Sequence, residues 1–142
     1  IDYVEMNFHI EPPSDYFMEI LGKKAAATVN IDRWYIKDST ALAYTFTIIP
    51  IETISYFNID LNDNDGLLKF IEEEIYKKST YSTIDIKFSS SGKFATKKYS
   101  ISSEKQYYLI EESIYRDSEY LIAFSKHYLP LLNASIKIHT SK

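Results

Sequence analysis

The sequence contains no cysteine. That excludes a disulfide framework, a thiolate metal site and a cysteine nucleophile together, and it suits oxidising and reducing compartments alike. Glycine is almost as scarce: Gly22, Gly66 and Gly92 are the only three, and no two share a short loop. Neither a phosphate-cradling loop nor a Gly-x-Ser-x-Gly nucleophile elbow can be written with them. Arginine is limited to Arg33 and Arg116, and the net charge is −4. A nucleic-acid surface needs a basic face with Arg forks for phosphates and guanine edges, so no nucleic-acid partner is expected. The cluster Lys93, Lys97 and Lys98 reads as the solvated side of a strand. No apolar run approaches the ~20 residues that cross a bilayer. Thr47 to Ile51 and Tyr120 to Phe124 are only strand-sized, and no membrane span is expected.

Catalytic and metal-binding patterns are missing in the same way. His9, His127 and His139 lie too far apart for an H-x₃-H or HExxH frame, and each is expected to be structural or exposed. The stretch from Asp60 to Gly66 has the look of a calcium loop, with Asp63, Asp65 and Glu72 at ligand spacings. Its first ligand position would fall on Leu61, which cannot coordinate, so the stretch reads as an acidic turn capping a helix. Glu111 and Glu112 are adjacent on a strand pattern and must point to opposite faces, so they cannot pair as glycosidase carboxylates. The expectation is a protein that is not an enzyme, with no catalytic residue, no metal ligand and no cofactor.

What is present fits one globular α+β domain over residues 1–142. The chain is 45% hydrophobic and 25% charged, ordinary values for a folded domain of this size. Tyr3 to Ile10 reads as a strand stopped by Pro12-Pro13. Tyr16 to Leu21 is a short apolar run ended by Gly22, and Lys24 to Ile31 leans towards strand. The clearest strand is Thr40 to Ile49, where Leu42, Tyr44, Phe46 and Ile48 alternate with Ala41, Ala43, Thr45 and Thr47. Pro50 interrupts, and Thr53 to Asp60 resumes in an extended pattern. Leu67 to Lys78 reads as an amphipathic helix with Leu67, Leu68, Ile71 and Ile75 on one face, capped by Asn64 or Asp65. Ile84, Ile86 and Phe88 then alternate, followed by a turn at Ser89 to Gly92 and extended stretches at Phe94 to Ile101 and Gln106 to Arg116. Asp117-Ser118 marks a turn, and Tyr120, Ile122 and Phe124 alternate beyond it. Connections this short make neighbouring strands antiparallel. The tail from Lys126 fits a helix better than a strand. The sequence starts at Ile1 rather than Met, as after removal of a signal or lipoprotein leader or after trimming.

Thirteen tyrosines are the compositional outlier. Tyrosine brings large contact area at low entropic cost, and it also packs well in sheets. Trp34, Tyr107, Tyr115 and Tyr120 are the expected binding residues.

The opening Phe8-His9-Ile10-Glu11-Pro12-Pro13 resembles the strand-then-proline start of PsbP-like domains, including DcrB-type bacterial proteins. Gly92-Lys93-Phe94-Ala95 leading to Tyr99, then Glu111 to Tyr115, Asp117-Ser118 and Tyr120-Leu121-Ile122-Ala123, is similar to that family's second half. The resemblance implies an antiparallel β-sheet flanked by helices, an α/β/α sandwich, with accessory, chaperone or protein-binding roles and no shared catalytic residues. The resulting expectation is a noncatalytic domain of a bacterial secreted or envelope lipoprotein whose partner is another protein. The alternative is a small-molecule or carbohydrate binder that uses a Tyr/Trp-lined pocket.

Overall fold

The computed structural model describes residues 1–22, 25–89, 106–117 and 120–130. Six strands, β1 (Tyr3–Glu11), β2 (Thr28–Lys37), β3 (Thr40–Pro50), β4 (Tyr81–Ser89), β5 (Tyr107–Asp117) and β6 (Tyr120–Pro130), form one antiparallel sheet in the order β1-β2-β3-β6-β5-β4. Two three-stranded meanders therefore meet along β3 and β6. That seam holds five residue pairs, from Tyr44 opposite Tyr128 to Ile48 opposite Phe124, while β2 and β3 share ten.

Local chemistry explains the turns. Asp38 and Ser39 both adopt positive φ between β2 and β3, the geometry of a two-residue hairpin whose twist matches its strands. Helix α1 (Asp15–Leu21) starts at Ser14, whose hydroxyl accepts from the Phe17 amide. It stops at Gly22, where φ is 71° and the amide donates to the Met18 carbonyl. The segment between the meanders contains α2 (Ile51–Tyr56) and α3 (Asn64–Lys69). The latter runs through a π-helical turn at Phe70–Glu74 into α4 (Ile75–Lys78).

These helices cover the two faces unequally. On one face Leu67, Phe70, Ile71 and Ile75 pack on Val29, Ile31, Ile49, Ile114 and Ala123. On the other, α1 covers one corner, where Phe17 and Leu21 meet Ile48, Leu121 and Phe124. Among the described residues no helix is long and apolar enough to cross a membrane.

Antiparallel pairing, β1, β3, β4, β5 and the first half of β6, and the central amphipathic helix agree with the sequence reading. The strand expected over Lys24 to Ile31 instead runs from Thr28 to Lys37. Three other elements differ. Thr53 to Asp60 is not extended, because Pro50 ends β3 and the chain turns into α2, burying Thr53 and Ile54. Lys126 to Pro130 is not helical, because it completes β6 between β3 and β5. The helix cap is Asp63, accepting from the Gly66 amide at 3.0 Å, rather than Asn64 or Asp65. Phe94 to Ile101, the basic cluster around Lys97 and His139 lie outside the described residues.

Candidate functional site

A strand pleat sends alternate side chains to opposite faces. On the α1 face, Asn30, Asp32 and Trp34 of β2 stand beside Tyr44, Phe46 and Ile48 of β3, with His9 and Glu11 of β1 on one flank and Lys126 and Tyr128 of β6 on the other. With Ser14 and Tyr16 at the start of α1, these residues enclose a cavity of ≈ 400 Å³.

Its wall is aromatic. Trp34 and Tyr44 have ring centroids 5.3 Å apart, and Tyr44 stacks on Tyr128 at 5.7 Å. The polar groups are held by neighbours. The Tyr44 hydroxyl donates to Asp32, the Asn30 amide donates to Glu11, and the Thr28 hydroxyl donates to Asn30 at 2.8 Å. His9 Nε2 lies 3.2 Å from Glu11. Across the cavity, Lys126 Nζ sits 4.7 Å from the centroid of the Tyr16 ring, and the Tyr16 hydroxyl donates to Glu111 at 3.2 Å. Burial first, then the Asp32 hydrogen bond and charge, raises the Tyr44 pKa, so its hydroxyl remains a donor across physiological pH. An aromatic wall with carboxylate, amide and ammonium groups at its rim suits a small molecule that has both an apolar face and polar substituents.

The opposite face carries a buried polar line among apolar neighbours. Arg33, 4% exposed, donates from Nη1 to the Tyr35 hydroxyl at 2.8 Å and from Nη2 to Thr47 at 3.3 Å. Tyr35 in turn donates to Glu72 at 2.6 Å, and Thr47 and Ser125 hydroxyls lie 2.9 Å apart. His127 joins Thr45 (Nδ1, 2.9 Å) to Glu112 (Nε2, 3.1 Å), and Glu112 also accepts from Tyr76 at 2.8 Å. Burial alone would raise the Glu112 carboxyl; the hydrogen bonds from His127 and Tyr76, with the charges of His127 and Arg33, outweigh it and leave the pKa lowered. Beyond the end of the helix, Tyr35, Thr45 and His127 border an open groove of ≈ 350 Å³ with Ala43, Ile110 and Leu129. Among the described residues, Arg33 Nε is buried without a hydrogen-bond partner.

The Thr45–His127–Glu112 order resembles a nucleophile relay. Thr45 is 3% exposed, however, in a central strand paired on both sides. The line braces the sheet against the helix.

Of the four expected binding residues, Trp34 lines the cavity and Tyr107 packs in the same aromatic cluster behind it. Tyr115 lies elsewhere, stacked on Tyr81 at 4.7 Å, and Tyr120 packs on the helix side beneath Arg116. Sequence reasoning missed Asp32, Tyr44 and Tyr128 as wall residues. The signal was present in the alternation Asn30, Asp32, Trp34, a polar and aromatic row where an apolar one belongs. Glu111 and Glu112 do point apart, to Lys87 and Tyr16 on one face and to His127 and Tyr76 on the other.

No family model matches the chain. No curated protein matches it either. Solved structures do. The effector-binding domain of the B. subtilis trehalose repressor superposes with a TM-score of 0.76 at 11% identity, covering 98% of this chain and 97% of that one. A GntR-family transcriptional regulator from Enterococcus faecalis gives 0.76 at 12% identity over 97% and 100%. One from Bacillus cereus gives 0.74 at 15% over 97% and 99%.

These neighbours overturn the PsbP-like, DcrB-type resemblance. That resemblance rested on strand spacing, which does not specify how two meanders are joined. The secreted or lipoprotein placement implied by it falls as well, since the neighbours are transcriptional regulators. The exclusion of nucleic acid conflicts with them too, since the neighbours are transcriptional regulators, and a charge of −4 does not decide the matter. The neighbours are regulatory proteins rather than enzymes, in keeping with the noncatalytic reading. The fold of this chain is that of a regulator's effector-binding domain.

Proposed function

We propose that residues 1–142 act as the small-molecule-sensing unit of a transcriptional regulator, with the effector seated in the aromatic cavity on the α1 face. The observation that carries this is the conjunction of ≈ 400 Å³ of unfilled volume with a Trp34–Tyr44–Tyr128 wall and the polar rim of Asp32, Glu11 and Lys126. The same cavity supports the finer reading of a carbohydrate or other polyol, whose C–H face packs on aromatic rings while carboxylates and amides take its hydroxyls. DNA contact in such a regulator would belong to a separate segment.

A second reading is a polar or anionic group entering the open groove that Tyr35, Thr45 and His127 line. The two readings separate cleanly because Trp34 is the only tryptophan and belongs to the cavity. Neutral sugars and polyols, and separately small phosphates and carboxylates, are titrated while melting temperature and Trp34 emission are followed. At about 100 times its Kd a ligand adds ~2.7 kcal/mol, which raises the melting point by roughly 5–12 °C. An effector in the cavity shifts both signals, and Asp32→Asn weakens it. One in the groove shifts melting alone. If neither class moves either signal at millimolar concentration, the sensing role is wrong.

A further inference from the structure

We propose that the effector of the α1-face cavity is zwitterionic, with a cationic nitrogen at Asp32, an anionic group at Lys126 and its body lying on Phe46. The inference rests on the sensing role proposed above. The strand registers carry it. Asp32 of β2 stands directly opposite Phe46 of β3, and Phe46 stands opposite Lys126 of β6. All three line the cavity, so one cross-strand row reads carboxylate, phenyl ring, ammonium. Two strand spacings separate its ends, about 10 Å between backbones. Opposite charges that stabilise a sheet stand directly across from each other. Here a ring packed against two core clusters keeps them apart.

Each end is held by a group that leaves its charge in place. The Tyr44 hydroxyl donates to Asp32, a neutral partner that orients the carboxylate without cancelling it. Lys126 Nζ sits over the Tyr16 ring. Glu111, opposite Lys126 on β5, accepts from Lys87 and from the Tyr16 hydroxyl. On the β1 flank, Glu11 takes the Asn30 amide and lies beside His9. Coulomb attraction is stronger in a half-enclosed aromatic space than in water. Bringing an uncompensated charge out of water is costly. A lone anion drawn to Lys126 also meets Asp32, and a lone cation drawn to Asp32 also meets Lys126. A neutral polyol fills hydrogen bonds and compensates neither charge. A molecule with both signs at opposite ends matches the row.

The test is calorimetric titration of the full chain with one rigid scaffold in different charge states. 4-(Aminomethyl)benzoate carries both charges, benzylamine the cation, benzoate the anion and benzyl alcohol neither. The doubly charged probe is expected to bind at least tenfold more tightly than the better singly charged one. Asp32→Asn, which keeps an acceptor for the Tyr44 hydroxyl, should weaken that probe at least tenfold while benzoate binds as well or better. Lys126→Gln should weaken it similarly and spare benzylamine. A doubly charged probe that binds no tighter than benzylamine or benzoate, or not at all, overturns the inference, as does an advantage that survives both substitutions. The sensing role fails separately. If neutral sugars and polyols still shift melting and Trp34 emission, the cavity remains a sensor of uncharged molecules, whereas silence from every probe removes both readings.

Discussion

The two faces of the sheet are built from the same strands and both carry polar side chains, yet they spend them differently. On the helix side, Arg33, Thr45, Thr47, Ser125, His127 and Glu112 bond mainly to one another and to Glu72 and Tyr76 of the helix segment. On the α1 side, Asp32, Glu11 and Asn30 also have partners, but they border unfilled space. Buried polar groups that are saturated by the fold specify how its layers sit. Polar groups arranged around a void are placed for something the chain does not supply. The contrast supports the proposal that the α1 side is the receptive one, with most of the helix side serving as frame.

Three substitutions can break or sharpen that contrast. The largest effect is expected from Phe70→Ala, which opens a hole where the helix meets the sheet. Its ring is fully buried, and the cost should be about 3–5 kcal/mol by denaturant unfolding. A cost below ~1 kcal/mol would mean that the helix is not the frame. Next is Glu112→Gln, expected to cost about 1–3 kcal/mol at pH 7 because it removes a charged acceptor shared by His127 and Tyr76. Glu112 has its pKa lowered from 4.5, so its ionised form is favoured by folding. The stabilisation is therefore complete above that ordinary value and disappears as pH falls through the lowered folded one. The two unfolding curves should converge in acid, and a gap independent of pH would assign the loss to packing instead. The smallest effect on stability, within ~1 kcal/mol, is expected from Tyr44→Phe. It should nevertheless weaken effector binding, since it frees Asp32 and alters the wall. A large stability loss with unchanged binding would reverse the roles of the two faces.

Much of the sheet was legible in the sequence because period-two rows such as Leu42 to Ile48 leave a half-buried strand little choice. The helix was legible from Leu67, Ile71 and Ile75, although its cap at Asp63 was not, since three neighbouring acidic or amide residues could all serve. Thr53 to Tyr56 misled because β-branched residues favour strands locally, and here burial of Thr53 and Ile54 beneath the sheet outweighs that preference. The tail from Lys126 misled in reverse: one helical stripe can be drawn through Tyr128 and Leu131, but pairing with two strands decides the outcome over Lys126 to Pro130. The cavity was only partly visible. Trp34 is legible as an aromatic binding candidate, yet its company depends on the registers that put Tyr44 opposite it and Tyr128 opposite Tyr44. Register is a long-range property, and no local pattern encodes it.

The short seam between the meanders has a mechanical consequence. Five residue pairs make it the narrowest joint in the sheet. The helix straps it on one side, while on the other α1 reaches only one end. The cavity straddles it, with Asp32, Trp34 and Tyr44 on one half and Lys126 and Tyr128 on the other. A guest molecule held by both walls would act as a rivet across that hinge, so the concentration of a metabolite would be converted into the stiffness with which one half of the domain follows the other.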